Sequence, residues 1–177
     1  MLTFEQAYEF TDKVSSNTAY ELRECRLLFN IAMRIPVGGT IIEIGCEYGR
    51  STSILMQVAK EKSAEVHLVE PDPKPELLTM LRSLHYPFIL HVSKSIDAIG
   101  IPTYGDFGHI DGDHEFDAVY HDLGLLTRIV KGYIVCHDYK RESLPDVTRA
   151  IDEFRAANKD KIRLNDFAET ALCMTTL

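Results

Sequence analysis

From residue 39 to the end, short apolar runs alternate with amphipathic stretches, and this order constrains the fold more than any other feature of the chain. "GTIIEIG" (39–45) reads as a strand and "RSTSILMQVAKEK" (50–62) as a helix. The pairing repeats with "EVHLVEPD" (65–72) and "KPELLTMLRSLH" (74–85), then with "PFILHV" (87–92) and the short helix or turn "SKSIDAIG" (93–100). "DFGHIDGD" (106–113) is the fourth strand, followed by a helix over 116–130 in which Phe116, Val119, Tyr120, Leu123 and Leu126 share a face. "GYIVCHD" (132–138) precedes the helix "LPDVTRAIDEFRAANKD" (144–160), and two strands, "KIRLNDFA" (161–168) and "TALCMTTL" (170–177), close the chain with no helix between them.

Strands alternating with helices imply parallel βαβ units with right-handed crossovers, and the helix-free ending implies an antiparallel hairpin at one edge. The expected fold is α/β: a Rossmann-like, doubly wound, mostly parallel seven-stranded sheet with a C-terminal antiparallel hairpin. A helical N-terminal extension (1–35) should precede the core (36–177) in one domain. In the extension Phe4, Ala7, Tyr8 and Val14 recur at helical spacing, as do Leu22, Cys25, Leu28 and Phe29; "SSNT" (15–18) is a break and candidate cap, and Pro36 ends the region. These apolar faces pack either on the core or on a second copy.

Composition excludes several classes of function. A net charge of −8 argues against nucleic acid as the main partner, because binding by counterion release needs a basic face. Cys25, Cys46, Cys136 and Cys173 are widely spaced inside apolar runs, as reduced core residues of a cytoplasmic protein would be. The N-terminus carries acids among its apolar residues, unlike a signal peptide, and no apolar run reaches membrane-spanning length, so no membrane association is expected.

In open parallel sheets, ligands bind beyond the carboxyl ends of the strands. Those ends here carry Gly45, Glu70, Ser93, Asp111 and the pair His137 and Asp138. The first of them opens "IIEIGCEYGRST" (41–52), where Gly45 and Gly49 permit a sharp strand-to-helix turn and Glu43, Glu47, Ser51 and Thr52 stand beside them. With an acid between the glycines and no lysine, the turn disfavours a pyrophosphate and favours a ligand carrying cationic groups, such as an ammonium or a sulfonium. Glu70 follows at about the 20-residue spacing at which a carboxylate accepts hydrogen bonds from both ribose hydroxyls. Either feature alone is compatible with a plain βα turn or an exposed strand-end acid; together they indicate a nucleoside ligand.

"IIEIGCEYGRST" followed by "VHLVEPD" resembles the first motif and acidic loop of class I methyltransferases dependent on S-adenosylmethionine, over roughly residues 36–177. The resemblance implies a cofactor site of Glu43, Gly45, Glu47, Gly49, Ser51, Glu70, Ser93 and Asp111, with Glu70 on the ribose and Ser93 and Ile96 near the adenine. The residues Asp111, Asp113, His114, His137 and Asp138 form a rim that can ligate a divalent cation or supply a base. This rim resembles the small-molecule O-methyltransferase branch, which includes the catechol, caffeoyl-CoA and macrocin enzymes and the cephalosporin-hydroxylase-like proteins. The resemblance implies Asp111, His137 and Asp138 as metal ligands, and His114 and Asp111 as catalytic residues, with neutral His114 taking the acceptor's proton. Histidine at 137 departs from the family's hard oxygen ligand, so manganese, zinc or iron joins magnesium as a candidate.

Other polar residues receive plainer readings. Asp113 is a candidate helix cap, His121 and Asp122 a solvated helix face, and His109 a packed or paired strand residue. Tyr48 and Tyr139 flank the expected pocket, and His67, His85 and His91 receive no role. The expected activity is methyl transfer from S-adenosylmethionine to a small-molecule hydroxyl. The alternatives are a nucleoside-binding module without chemistry and a nicotinamide-dependent oxidoreductase, which the missing third glycine and Glu47 disfavour.

Overall fold

The computed structural model describes residues 1–14 and 21–177. Seven strands form one sheet: β1 (Thr40–Ile44), β2 (Glu65–Val69), β3 (Ile89–His91), β4 (Gly105–Ile110), β5 (Val130–Cys136), β6 (Ile162–Ala168) and β7 (Ala171–Thr176). Their spatial order is β3-β2-β1-β4-β5-β7-β6. The first five run parallel, and β7 pairs antiparallel with both β5 and β6. The expected fold class is thus the observed one. The helices are α1 (Phe4–Val14), α2 (Leu22–Ala32), α3 (Arg50–Lys62), α4 (Pro75–Leu84), α5 (Phe116–Ile129) and α6 (Pro145–Ala157), with a short 3-10 turn at Ser95–Asp97. The "SSNT" break lies outside the described residues.

Alternation along the strands divides the core into two layers. Ile41 packs with Val66, Leu68 and helices α1 to α4, whereas its neighbour Ile42 joins Ile44, Val69, Leu123, Leu126 and Ile151 on the opposite face. The N-terminal helices lie on the first of these layers: Phe4 and Ala7 of α1 and Leu28 and Ile31 of α2 are buried there. They cover the outer side of α3, so that Ser51, Thr52 and Ser53 are buried as fully as Ile54, Leu55 and Met56. Arg50 fastens this layer, donating to the Tyr8 hydroxyl (2.9 Å) and to Asp12 (2.8 Å) across α1.

Two of the differences from the boundaries read in the sequence have a clear physical cause. Helix α5 has Glu115, not Asp113, at its N-cap, because the Asp113 carboxylate is spent on an Asx turn, accepting the Glu115 amide at 3.2 Å. Strand β5 starts at Val130 because the chain passes from α5 straight into the sheet with no intervening loop.

The turn after β1 needs glycine for two separate reasons. Gly45 has φ +86°, and a Cβ there would sit 2.0 Å from the Asp111 carbonyl oxygen, where the ends of β1 and β4 close together. Gly49 has φ +87° at the start of α3, and a Cβ there would press on Met80 of α4 at 2.6 Å. Gly45→Ala therefore forces β1 and β4 apart. It should destabilise the protein by more than about 3 kcal/mol in denaturant melts, and a variant that melts like the wild type would refute this reading.

Candidate active site

The carboxyl ends of the five parallel strands surround a cavity of about 760 Å³. Gly45, Glu47, Glu70, Ser93, Ile96, Asp111, His137 and Asp138 all line it, so residues scattered over nearly a hundred positions share one rim. Gly49, Glu43 and Ser51 do not line it. Gly49 serves the packing of α3 on α4, and Ser51 is buried under α1 and α2. Glu43 is fully buried, with its carboxylate 3.1 Å from His109 Nδ1 and accepting from the Cys46 thiol at 3.7 Å. The paired reading of His109 thus holds, and its partner is the acid expected at the cofactor. Tyr139 turns away from the cavity to donate to Asp152 at 2.8 Å, and Tyr48 is also outside the lining.

Glu70 organises the first turn. Its Oε2 accepts the amides of Cys46 (2.9 Å) and Glu47 (3.0 Å), and its Oε1 accepts the Asp72 amide (2.9 Å). Three of a carboxylate's roughly four lone-pair sites are thereby used. These bonds also hold Glu47 at φ +43°, a left-handed conformation unusual for a residue with a side chain.

Around the ends of β4 and β5 the charges interlock. His137 is buried with Nδ1 3.3 Å from both Asp111 Oδ1 and Asp138 Oδ2, while Nε2 is 3.3 Å from Glu24 Oε2. Burial opposes protonation of this ring, yet the three acids outweigh it and push its pKa up to about 12. His114 Nε2 stands 3.0 Å from Asp138 and 3.9 Å from Asp111, and these acids raise it to about 9 against the pull of desolvation. Burial alone would raise Asp111, but His114 and His137 bring it down to about 2. Asp138 is lowered further by the same histidines and by Arg141, which donates to Oδ1 at 2.7 Å. Asp138 and Lys140 both adopt left-handed φ, at +59° and +64°, and this strained turn aims the Asp138 carboxylate into the cavity.

Two sequence expectations change here. The side chains that can surround one cation are Asp111, His114 and Asp138, whose candidate ligand atoms lie within 4.8 Å of one another. His137 is not among them, because both its nitrogens face carboxylates. His114, expected neutral, holds its proton at neutral pH between two acids.

Sequence reasoning missed Glu24. It is buried, and its Oε1 accepts both the amide (2.8 Å) and the hydroxyl of Thr170, in the turn before β7. The Glu21 amide donates to its Oε2 at 2.8 Å. Burial favours the neutral acid, but the bonds from His137, Thr170 and Glu21 lower its pKa instead. The available signal was an acid at the helical spacing of Leu28 and Ile31, hence on the face that packs.

Asp122 was read as solvated and is instead 2% exposed, lining the cavity and accepting a hydrogen bond from the Ser95 hydroxyl. Burial pushes its carboxyl up to about 6. Its neighbour His121 also lines the cavity.

The sequence pattern of a family described as "Methyltransferase domain" matches residues 42–139, more than half of the chain, and the chain belongs to that family. Its mixed seven-stranded sheet is the Rossmann-like α/β fold of methyltransferases, in keeping with that family. Its fold is similar to that of an O-methyltransferase from Bacillus cereus in complex with SAH, at TM-score 0.72 and 14% identity, over 97% of this chain and 88% of that one. It is also similar to an SAH-bound methyltransferase from Podospora anserina (TM-score 0.65, 15% identity, 98% and 87% covered). An rRNA methylase from Streptococcus thermophilus shares the fold as well (TM-score 0.67, 11% identity, 90% and 99% covered). A comparison by sequence with curated proteins gives no match.

The raised Asp122 carboxyl predicts a stability effect with a definite sign. Because its folded pKa lies above the ordinary 3.8, its stabilising contribution is complete below about pH 4 and is lost as pH rises through about 6. Asp122→Asn should therefore be more stable than the wild type at pH 8, by on the order of 2 kcal/mol, with the difference closing at pH 4. Parallel melting curves at the two pH values test this, and an Asn variant no more stable at pH 8 would contradict it.

Proposed function

We propose that this chain transfers a methyl group from S-adenosylmethionine to a hydroxyl of a small-molecule acceptor, assisted by a divalent cation. The observation that carries the reading is one cavity with Glu70 at the end of β2 and the trio Asp111, His114 and Asp138 at the ends of β4 and β5. Bound S-adenosylmethionine supplies a methyl group on a sulfonium, open to in-line attack. Glu70 has one lone-pair site beyond its three backbone bonds, so it accepts from one ribose hydroxyl while still holding the Cys46–Glu47 turn against the cofactor. Glu47 and Asp111 lend negative charge near the sulfonium and ammonium groups. The chain's remaining work is alignment, which can supply much of the acceleration in such a displacement.

The donor set fits a divalent ion: two ionised carboxylates, and the His114 imidazole once the cation displaces its proton, suit magnesium, manganese or zinc. A cation held by Asp111, His114 and Asp138 would lower the pKa of an acceptor hydroxyl beside it. In that arrangement His114 is a ligand and not the proton acceptor, and the proton of the acidified hydroxyl would leave to solvent at the cavity mouth. His137, pinned by Glu24, keeps Asp111 and Asp138 in place from behind. An oxygen acceptor is favoured because activating a hydroxyl is what such a group of residues accomplishes.

A small acceptor fits the cavity, and Asp113 and Asp117 on its wall, with the net charge of −8, disfavour a polyanion such as the RNA of the rRNA methylases that share the fold. All four cysteines are free and buried, which suits a reducing, cytoplasmic setting. No helix among the described residues is long and apolar enough to cross a membrane.

Two measurements test the reading. Exhaustive chelation should lower turnover more than about tenfold while leaving S-adenosylhomocysteine binding unchanged, with manganese or magnesium restoring the rate; undiminished turnover would remove the metal. Glu70→Gln turns an amide N–H₂ toward backbone donors, so calorimetry should show S-adenosylhomocysteine binding at least about tenfold weaker. Wild-type affinity in that variant would place the cofactor elsewhere.

A further inference from the structure

The raised carboxyl of Asp122 stands outside the groups so far given a role. A buried acid with a raised pKa costs the fold stability, and carboxyls perturbed in this way cluster at functional sites. Asp122 lines the cavity from α5, and the Ser95 hydroxyl reaches it from the 3-10 turn after β3. That bond occupies Oδ1. Oδ2 lies 3.4 Å from where a Cβ on Gly112 would stand, and Gly112 itself lines the cavity, so its bare Cα leaves Oδ2 within reach.

The surroundings match a flat heterocycle. Val69 and Pro71 at the end of β2 and Ile96 beyond β3 supply apolar walls, and Ser95 and Asp122 line the same cavity as a hydrogen-bonded pair. If Glu70 holds the sugar, the base extends toward β3, which is the side where the Ser95–Asp122 pair sits. An acceptor-only carboxylate there is complementary to an amino group and repels a carbonyl oxygen.

We propose that Asp122, held by Ser95, reads the exocyclic amino group of the cofactor's purine and so determines the choice of adenine over a 6-oxo purine. The inference rests on the cofactor reading given above and adds a specificity residue on α5 to it. Lys94 does not neutralise this acid, since it pairs with Asp113 at 3.5 Å.

The test is calorimetric titration of S-adenosylhomocysteine and its 6-oxo counterpart, S-inosylhomocysteine, into the wild type, Asp122→Asn and Ser95→Ala. The wild type should bind the 6-oxo compound at least about 30-fold more weakly, the scale of a hydrogen bond to a charged group lost and an acceptor left unmet. Asp122→Asn should bind S-adenosylhomocysteine about tenfold more weakly and should abolish or reverse the preference, since an amide can donate to the oxo group. Ser95→Ala should narrow the preference with the acid intact, so the two variants test the assignment independently. Equal wild-type affinity for the two compounds, or an undiminished preference in either folded variant, overturns the assignment of Asp122 while leaving the cofactor reading standing. A wild type that binds neither compound overturns both.

Discussion

The carboxylate of Glu70 is the hinge of this structure. By accepting the amides of Cys46 and Glu47 it binds the end of β2 to the turn leaving β1, and by accepting that of Asp72 it fixes its own loop. The left-handed φ of Glu47, the approach of Gly45 to Asp111 and the start of α3 at Gly49 all follow from that turn being closed. A buried acid satisfied by three backbone donors is a rigid element, and the cavity is built on it.

The second half of the site is organised by charge. Glu24, Asp111 and Asp138 converge on the ring of His137, and His114 and Arg141 approach Asp138 from the cavity side. Each charge is costly to bury alone and is stabilised by its neighbours. The strained turn at Asp138 and Lys140 is tolerated because this network determines where the Asp138 carboxylate must be.

Much of this architecture was legible in the sequence, for a physical reason. The seven strands and the closing hairpin announce themselves through local periodicity, and strand ends of a parallel sheet must share a rim, so Gly45, Glu70, Ser93, Asp111, His137 and Asp138 could be brought together without coordinates. What periodicity cannot convey is which element covers which face. Glu43 read as a cofactor residue and Asp122 as part of a solvated helix face, yet the first is buried against His109 and the second lines the cavity. Ser51 looked like a ligand contact because nothing local reveals that α1 and α2 lie over α3. His137 looked like a metal ligand because its partner Glu24 is 113 residues away, beyond any spacing argument.

The position of Glu24 also bears on how this protein can be dissected. The segment matching the methyltransferase family spans residues 42–139, and Glu24 precedes it on α2 while Thr170 follows it near the C-terminus. The recognisable motif region is therefore not a self-sufficient module. Excising it, or grafting it onto another scaffold, would leave His137 facing Asp111 and Asp138 without Glu24, and the borrowed piece would carry the family's signature without its electrostatic balance.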